Sequence, residues 1–478
     1  MAFMKRSYGG IQPYIPCGIF RIRLPFVHFK ISPPEIITGL MNACTSYGAL
    51  AVLISTLGLS AEVAWALVVF ETMMYTLNWL LGEPSICGWI TPAMAIVIVF
   101  LESFDPGVVR LQALTAVELE LAVMFLILGA TGLSKKLNTL LPPGVKAGIV
   151  LGAGVNAVYA RLVEGSAIDS ATIGCISGLC IVFFLMFSQR VRKYMDMNRI
   201  LQILGNYSFL WAILALFIIG GFSGEFSYNF SGEIIRVPDF VGLFNAVSPF
   251  AIGWASASVW LQALPIALIA WVIAYGDFVT VQQLGMQALR EDEFIEFDPN
   301  RTNIICGIRN LLLALFSPYP ALAGPLSAPY CVATYQRYKQ QGRQGMDSIY
   351  DGSGTNLLFT VIGLFIFPLY EASLAASGAI LVVVLCIQGF VCAQIAFGLT
   401  NDRLDQGIAG MMAGFILARG GGVGLVAGLL LYFLLCDNEK VRNDYLLNKK
   451  AQKAEDKKAK MLLEDLKRQR DEFNKRCP

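Results

Sequence analysis

Histidine is almost missing from this sequence: among 478 residues only His28 is present, in a basic, proline-containing N-terminal stretch. A histidine-ligated metal or a histidine proton relay has no material to be built from, and His28 itself is expected to be an interfacial residue rather than a ligand. CxxC pairs are missing as well, and the eleven cysteines lie scattered, mostly in apolar runs such as those holding Cys175, Cys180, Cys386 and Cys392. That spacing argues against zinc and dithiol sites and reads as small buried apolar side chains. No Walker sequence or nucleophile motif occurs, so neither an enzyme nor a cofactor is expected. Charge is scarce: 15% of residues are charged, against about 25% in soluble globular chains. The formal net charge of +2 gives no reason to expect nucleic acid as a partner. The first thirty residues have no continuous apolar core and are interrupted by Pro13, Pro16 and Pro25, so no cleavable signal peptide is expected.

Apolar length is what the sequence has instead. Hydrophobic residues make up 56% and the mean hydropathy is +0.61, with repeated runs on the scale of the roughly 20 helical residues that cross a hydrocarbon core. Fourteen segments are expected to be spans, at 35–57, 62–81, 91–101, 117–133, 144–159, 171–187, 201–221, 256–275, 303–316, 326–335, 356–370, 377–398, 407–418 and 420–435. The predicted fold class is an all-α polytopic membrane protein, in contact with membrane lipid. An even number of spans puts both termini on one side, and the basic residues say which. Lys5, Arg6, Arg21, Arg23 and Lys30 precede the first acid, Glu35, and alternate connections carry Lys135, Arg190, Arg192, Arg290, Arg301, Arg343 and Arg403. By the positive-inside rule both termini are expected in the cytoplasm, and the membrane to be the cell (inner) membrane. Residues 1–34 then form a basic arm, 35–436 the transmembrane domain, and 437–478 a charged, partly helical tail.

Two places interrupt the apolar pattern in the same way. GEPSICGWITPAMA, from Gly82 to Ala95, and PYPALAGPLSAP, from Pro318 to Pro329, each put glycine and proline ahead of a short apolar helix. ITPAMA at Ile90–Ala95 superposes on PYPALA at Pro318–Ala323 with an offset of 228, and the same offset lays SYGAL at Ser46–Leu50 on AYGDF at Ala274–Phe278. These matches read as traces of a seven-span duplication, which must be inverted because seven is odd, and broken helices at corresponding places in inverted halves mark a transporter's solute site. Irregular backbone at that depth needs protein or a water-filled cavity around it. Thr91 with Pro92 is expected to open one half-helix, and Gly324 with Pro325, or Ser327 with Pro329, the other. Two facing helix N-termini offer free N–H groups and partial positive charge to an anion or an electronegative atom. The expected solute-binding residues are Trp89, Thr91 and Ala93 from one break, Ala323, Gly324, Leu326, Ser327 and Ala328 from the other, and Tyr47 and Tyr275 from the matched Tyr-Gly pairs.

Intramembrane acids are the other functional signal, because ionised groups in apolar spans are costly. Asp277 ends the run LPIALIAWVIAYGD, and Thr280 lies one helical turn on, so carboxylate and hydroxyl share a face. The pair is suited to hold Na⁺ or carry a proton, alternatives the sequence leaves open. Glu71, inside VVFETMMY, is a further candidate, whereas Glu118 and Glu120 are expected at a span end, at the interface.

LPPGVKAGIVLG at Leu141–Gly152, Gly276–Asp277 and CVATYQR at Cys331–Arg337 resemble motifs of the nucleobase/ascorbate (xanthine/uracil permease) transporters, relatives of the sulfate permeases. The resemblance implies a seven-plus-seven inverted-repeat fold, with a core of spans 1–4 and 8–11 that moves against a gate of spans 5–7 and 12–14. It also implies a homodimer paired through the gates. Two departures matter. Ile273 stands where the nucleobase branch carries an acid, and Ser327–Ala328 where it carries Glu or Gln followed by Asn. In these the chain is more similar to the sulfate-permease branch, whose usual cytoplasmic domain after the last span is too large for residues 437–478. The expected function is H⁺- or Na⁺-coupled symport of a small solute, either a nucleobase-like compound or a small inorganic or organic anion. An uncoupled anion channel or facilitator on the same fold is the alternative.

Overall fold

The computed structural model describes residues 4 and 6–450 apart from 135, 137–139, 164, 165, 196 and 197, and beyond them residues 453, 457 and 464. The longer described helices are numbered here in chain order. They are α1 (Pro33–Ser55, with a 3₁₀ turn at Tyr47–Ala49), α2 (Ala61–Leu80), α3 (Thr91–Glu102), α4 (Val108–Thr131) and α5 (Pro143–Leu162). There follow α6 (Thr172–Phe187), α7 (Ser208–Phe222), α8 (Ala257–Ala288), α9 (Pro299–Phe316) and α10 (Ala328–Gly345). The chain continues through α11 (Ile349–Gly363), α12 (Phe367–Leu399), α13 (Arg403–Arg419), α14 (Gly421–Leu435) and α15 (Asn438–Lys450). Among the described residues, six helices are long and apolar enough to cross a membrane by length and composition alone, α1, α2, α4, α5, α8 and α12. The helices α3, α6 and α7 are apolar but shorter.

Local chemistry sets the ends. Gly107 (φ 99°) precedes α4 and Gly132 (φ 67°) stops it, a left-handed conformation that favours glycine. The Leu-Pro-Pro stretch opens α5, with Pro143 in its first turn where no N–H is needed. Ser348 and Asp351 form a capping box on α11, and the Asp402 carboxylate accepts from Leu404 and Asp405 N–H at the start of α13.

Polar residues mislead about length. The α4 helix begins at Val108 rather than 117, because Arg110 turns out of the helix to donate to the carbonyls of Thr56 and Phe104. Glu118 therefore lies inside the helix and fully buried, not at an interface as expected. Likewise α8 runs to Ala288 rather than 275, which sets Asp277 within a helix rather than at its end. The expected segment 356–370 straddles the junction between α11 and α12.

Packing sorts the helices into two groups. In the first, α1 lies on α11 and α4 lies on α8 and α9; in the second, α5 lies between α12 and α13, α6 on α7, and α13 on α14. The groups meet where α12 crosses α1 and where α3 touches α5.

The N-terminal arm folds onto the first group instead of trailing from it. Its strands are β1 (Gly10–Ile11), β2 (Ile15–Cys17) and β3 (Phe20–Ile22); β2 pairs with β3, and β1 runs parallel to β5 (Glu293–Phe294), between α8 and α9. Arg6 reaches Asp292 at 3.2 Å and the Asp347 carbonyl at 2.6 Å. His28 is not interfacial: it is buried, and its Nδ1 accepts from the Leu24 N–H at 3.0 Å. Glu35, at the start of α1, takes a bidentate grip from Arg337 of α10 at 2.6 and 2.9 Å. In the charged tail, Leu446 and Leu447 lie on α15, and Met461, Leu462, Leu463 and Leu466 lie outside the described residues.

Candidate functional site

Two short strands cross in the first group, β4 (Gly88–Trp89) ahead of α3 and β6 (Ala323–Gly324) ahead of α10. They pair antiparallel, Gly88 opposite Gly324 and Trp89 opposite Ala323. The crossing is extended by Ile90 N–H to the carbonyls of Ala321 and Leu322 at 3.1 and 3.0 Å, and by Ser327 N–H to the Ile86 carbonyl at 2.8 Å. Glycine is needed here for closeness. A Cβ on Gly88 would stand 2.9 Å from Ser327 Cβ, and one on Gly324 would stand 3.0 Å from backbone atoms of Trp89 and Ile90.

The helix starts that follow differ from the expected ones in register. Thr91 is the first residue of α3 and Ile90 takes the cap position, while α10 starts from Ser327 with Pro329 in its first turn, the second of the two alternatives. PYPALA consequently forms the turn and strand before the helix, whereas ITPAMA lies at the start of α3. The offset of 228 is out of register with the two helix starts, Thr91 and Ala328, which are 237 residues apart (328 − 91). Neither cap residue makes a side-chain capping bond. Both helices thus leave first-turn N–H groups without the usual side-chain partner.

Behind the strands the backbone is held by side chains that apolar periodicity did not single out. Asn310 of α9 works as a substitute strand: its Oδ1 accepts from Ala323 N–H at 2.9 Å and its Nδ2 donates to the Ala323 carbonyl at 2.8 Å. The neighbouring Arg309 donates from Nη1 to the Gly324 carbonyl at 2.8 Å. Glu118 accepts from the Tyr319 N–H at 2.9 Å, fixing the turn in which Leu322 adopts φ 52°. The signal for these residues was available, since Glu118, Arg309 and Asn310 are polar residues within apolar helices. Their partners, 13 to 201 residues away, were not.

In front of the strands is a cavity of about 200 Å³. Gly88, Trp89, Thr91, Pro92, Leu326, Ser327 and Tyr330 form one wall, and Asn42, Thr45 and Ser46 of α1 with Tyr75 of α2 another. Asp277 of α8 faces the same space. The opposite wall comes from the second helix group: Met186, Phe209 and, on α12, Val384, Ile387, Gln388, Val391 and Ile395. Thr45 donates to the Asn42 carbonyl at 2.7 Å, and its hydroxyl lies 3.5 Å from that of Tyr330.

Of the residues singled out from the sequence, Trp89, Thr91, Leu326, Ser327 and Asp277 line this cavity. Tyr47 does not. Its hydroxyl donates to the Leu364 carbonyl at 2.8 Å, and its ring packs on Tyr370. Tyr275 is buried against Trp271, and Ala93, Ala323 and Gly324 are buried in the packing behind the wall. Glu71 is also behind it, fully buried, and Thr72 Oγ1 lies 3.3 Å from its Oε2. The side chains of Thr280 and Ala328 lie outside the described residues, although both positions are helical. Sequence reasoning missed Asn42, Thr45, Tyr330 and Gln388, which look like ordinary helix residues until the fold aligns them.

No protein-family model and no curated protein matches the sequence. Solved structures do match. The murine solute carrier 26 family member A9 anion transporter, in its inward-facing state, shares 14% identity over 85% of this chain and 69% of its own, with a TM-score of 0.51. The transmembrane domain of a cyanobacterium bicarbonate transporter, BicA, shares 14% over 83% of this chain and 97% of its own, TM-score 0.50. A structure described as the overall structure of SLC26A9 shares 14% over 84% of this chain and 64% of its own, TM-score 0.53. The chain has the fold of these transporters. It is a mostly helical integral membrane protein, with six described helices long and apolar enough to cross a membrane.

Proposed function

We propose that the chain is a secondary transporter that carries a small anion by alternating access, with the solute held in the cavity where α3 and α10 begin. The observation that carries this reading is the crossing of β4 and β6, which brings two helix N-termini without side-chain caps to one cavity wall. Unpaired N–H groups and aligned peptide dipoles favour negative charge there. Similarity in fold to a bicarbonate transporter and to an anion transporter points the same way. A nucleobase is the less favoured solute, because buried Ile273 and the pair Ser327–Ala328 offer no acid or amide to read a base edge.

The antiparallel pairing of β4 with β6 supports fourteen spans in two inverted repeats, since a two-fold axis in the membrane plane reverses one strand against the other. The two packing groups are then the core and the gate, with Asn156 of α5 donating to the Ala95 carbonyl at 3.1 Å across their junction. Asp277, with Thr280, is the coupling site for Na⁺ or H⁺. Both termini are cytoplasmic, and the gates pair in a homodimer.

Thermal stabilisation of purified protein tests the reading, because a ligand that binds only the folded state raises its stability. Nitrate, bicarbonate, sulfate and small carboxylates are compared with uracil and xanthine, with and without Na⁺. A shift with an anion supports it, and a shift with a nucleobase alone contradicts it. Loss of a Na⁺-dependent shift in Asp277→Asn assigns coupling to Asp277; an unchanged Na⁺-dependent shift in the variant removes Asp277 from the mechanism.

A further inference from the structure

Among the described residues Arg309 is a buried cation with two unpartnered donors. Its side chain is fully buried in the middle of α9, Nη1 has the Gly324 carbonyl, and Nε and Nη2 have no hydrogen-bond partner. No carboxylate is within 4.0 Å of it among the described residues. Its surroundings are Glu71, Tyr75, Cys87 and Cys306, with the guanidinium carbon 5.1 Å from the centre of the Tyr75 ring. An arginine cannot shed its proton in such a place. Burying a cation without its counter-charge is expensive, and in a membrane protein such a residue usually serves a pathway.

Holding a carbonyl does not require a charge. One residue along, neutral Asn310 holds the Ala323 carbonyl at the same distance, 2.8 Å. What a guanidinium adds is potential. Its position gives that potential a direction, because the ring it faces, Tyr75, lines the cavity, and so does Gly88, the strand partner of the Gly324 it holds. The β4–β6 ribbon and the Tyr75 ring thus each link the cation to the cavity lining.

We propose that Arg309 is the counter-charge for the transported anion, acting through the ribbon and the Tyr75 ring without touching the solute. This rests on the anion reading above. Arg309 thus acts at one remove from the solute, and the anion completes the compensation that the folded chain leaves unfinished.

The test measures anion affinity by thermal shift or calorimetry for wild type, Arg309→Gln and Arg309→Lys, with nitrate, bicarbonate and sulfate as probes. Gln keeps an N–H donor for Gly324 and drops the charge; Lys keeps the charge and drops the planar fork. A unit charge roughly 10 Å from the solute in a partly polar interior changes monovalent binding by about tenfold. Gln is expected to lose about that factor for each monovalent anion that binds and about its square for sulfate if sulfate binds, because the energy scales with ligand charge. Lys is expected to stay within about threefold of wild type at pH 6. Equal affinity in Gln and wild type, as when Glu71 already neutralises the arginine, overturns the proposal and leaves the anion reading standing. Equal losses in Gln and Lys, or one common factor for nitrate and sulfate, mark a structural role and also overturn it. A wild type that binds no anion removes both. If Gln does not fold, Lys decides the matter. Burial lowers a lysine's proton affinity, so its deficit against wild type must widen from pH 6 to pH 9, and a constant ratio counts against the proposal.

Discussion

Replacing Asn310 by alanine should loosen the site without touching the solute. The Ala323 N–H and carbonyl are both served by this one side chain, and Ala323 is fully buried. In Asn310→Ala each group is left without a partner in a place water does not reach. An unpaired buried polar group costs about 1–3 kcal/mol, so the pair costs about 2–6 kcal/mol if nothing rearranges. The third bond of the amide, to the Cys306 carbonyl one helical turn back, adds little because it repeats what the helix supplies. Equilibrium unfolding of the detergent-solubilised protein by added SDS reads the loss directly, and the ligand-induced thermal shift reads its consequence at α10. We expect the unfolding midpoint to fall and the shift to shrink together. A loss under about 0.5 kcal/mol with an unchanged ligand shift would refute the claim that Asn310 holds β6 in place.

Other consequences follow from single contacts. Gly88→Val should abolish the ligand shift while leaving the protein foldable, since the added Cβ meets Ser327 at 2.9 Å where the strands cross; retained binding would mean the crossing tolerates spreading. Glu35→Gln should cost about 3–5 kcal/mol in the same unfolding assay by leaving the buried Arg337 without its carboxylate, and the double variant Glu35→Gln, Arg337→Met should recover much of it. No recovery in the double variant would show that the pair is not the cause. Acid should release the N-terminal arm. Burial raises the Asp292 carboxyl, but the hydrogen bonds and charges of Arg290 and Arg6 outweigh it and hold the group below the usual carboxylate range. Its contribution is then complete above about pH 4, the ordinary aspartate value, and disappears as pH falls through the depressed one. A fluorescent label on exposed Cys17 should report release at lower pH in wild type than in Arg6→Gln, and identical midpoints would exclude the Arg6–Asp292 contact as the latch.

That the chain is mostly helical, with several apolar helices, was legible because long apolar runs can be read from the sequence alone. The two glycine- and proline-rich stretches at residues 82–95 and 318–329 stood out in the same way, and the structure places β4 and β6 within them. Register was not legible. The repeat of Pro-Ala at Pro92 and Pro320 aligned a helix start with a turn, whereas the structure starts the two helices at Thr91 and Ala328. Helix length was misread wherever a polar residue found a partner far along the chain, as Glu118 does at Tyr319. The cavity was half legible: Trp89, Thr91, Leu326, Ser327 and Asp277 carry proline, glycine or charge nearby, whereas Thr45 and Tyr330 meet only because α1 and α10 pack side by side.

Uptake by proteoliposomes is the most direct measurement of the central claim. Purified protein is reconstituted, and entry of labelled bicarbonate, sulfate and uracil is followed under a Na⁺ gradient, a proton gradient and neither, for wild type and Asp277→Asn. The account predicts saturable entry of at least one of the two anions, driven by one of the gradients in wild type and no longer driven in Asp277→Asn. Entry of uracil with neither anion carried would contradict it.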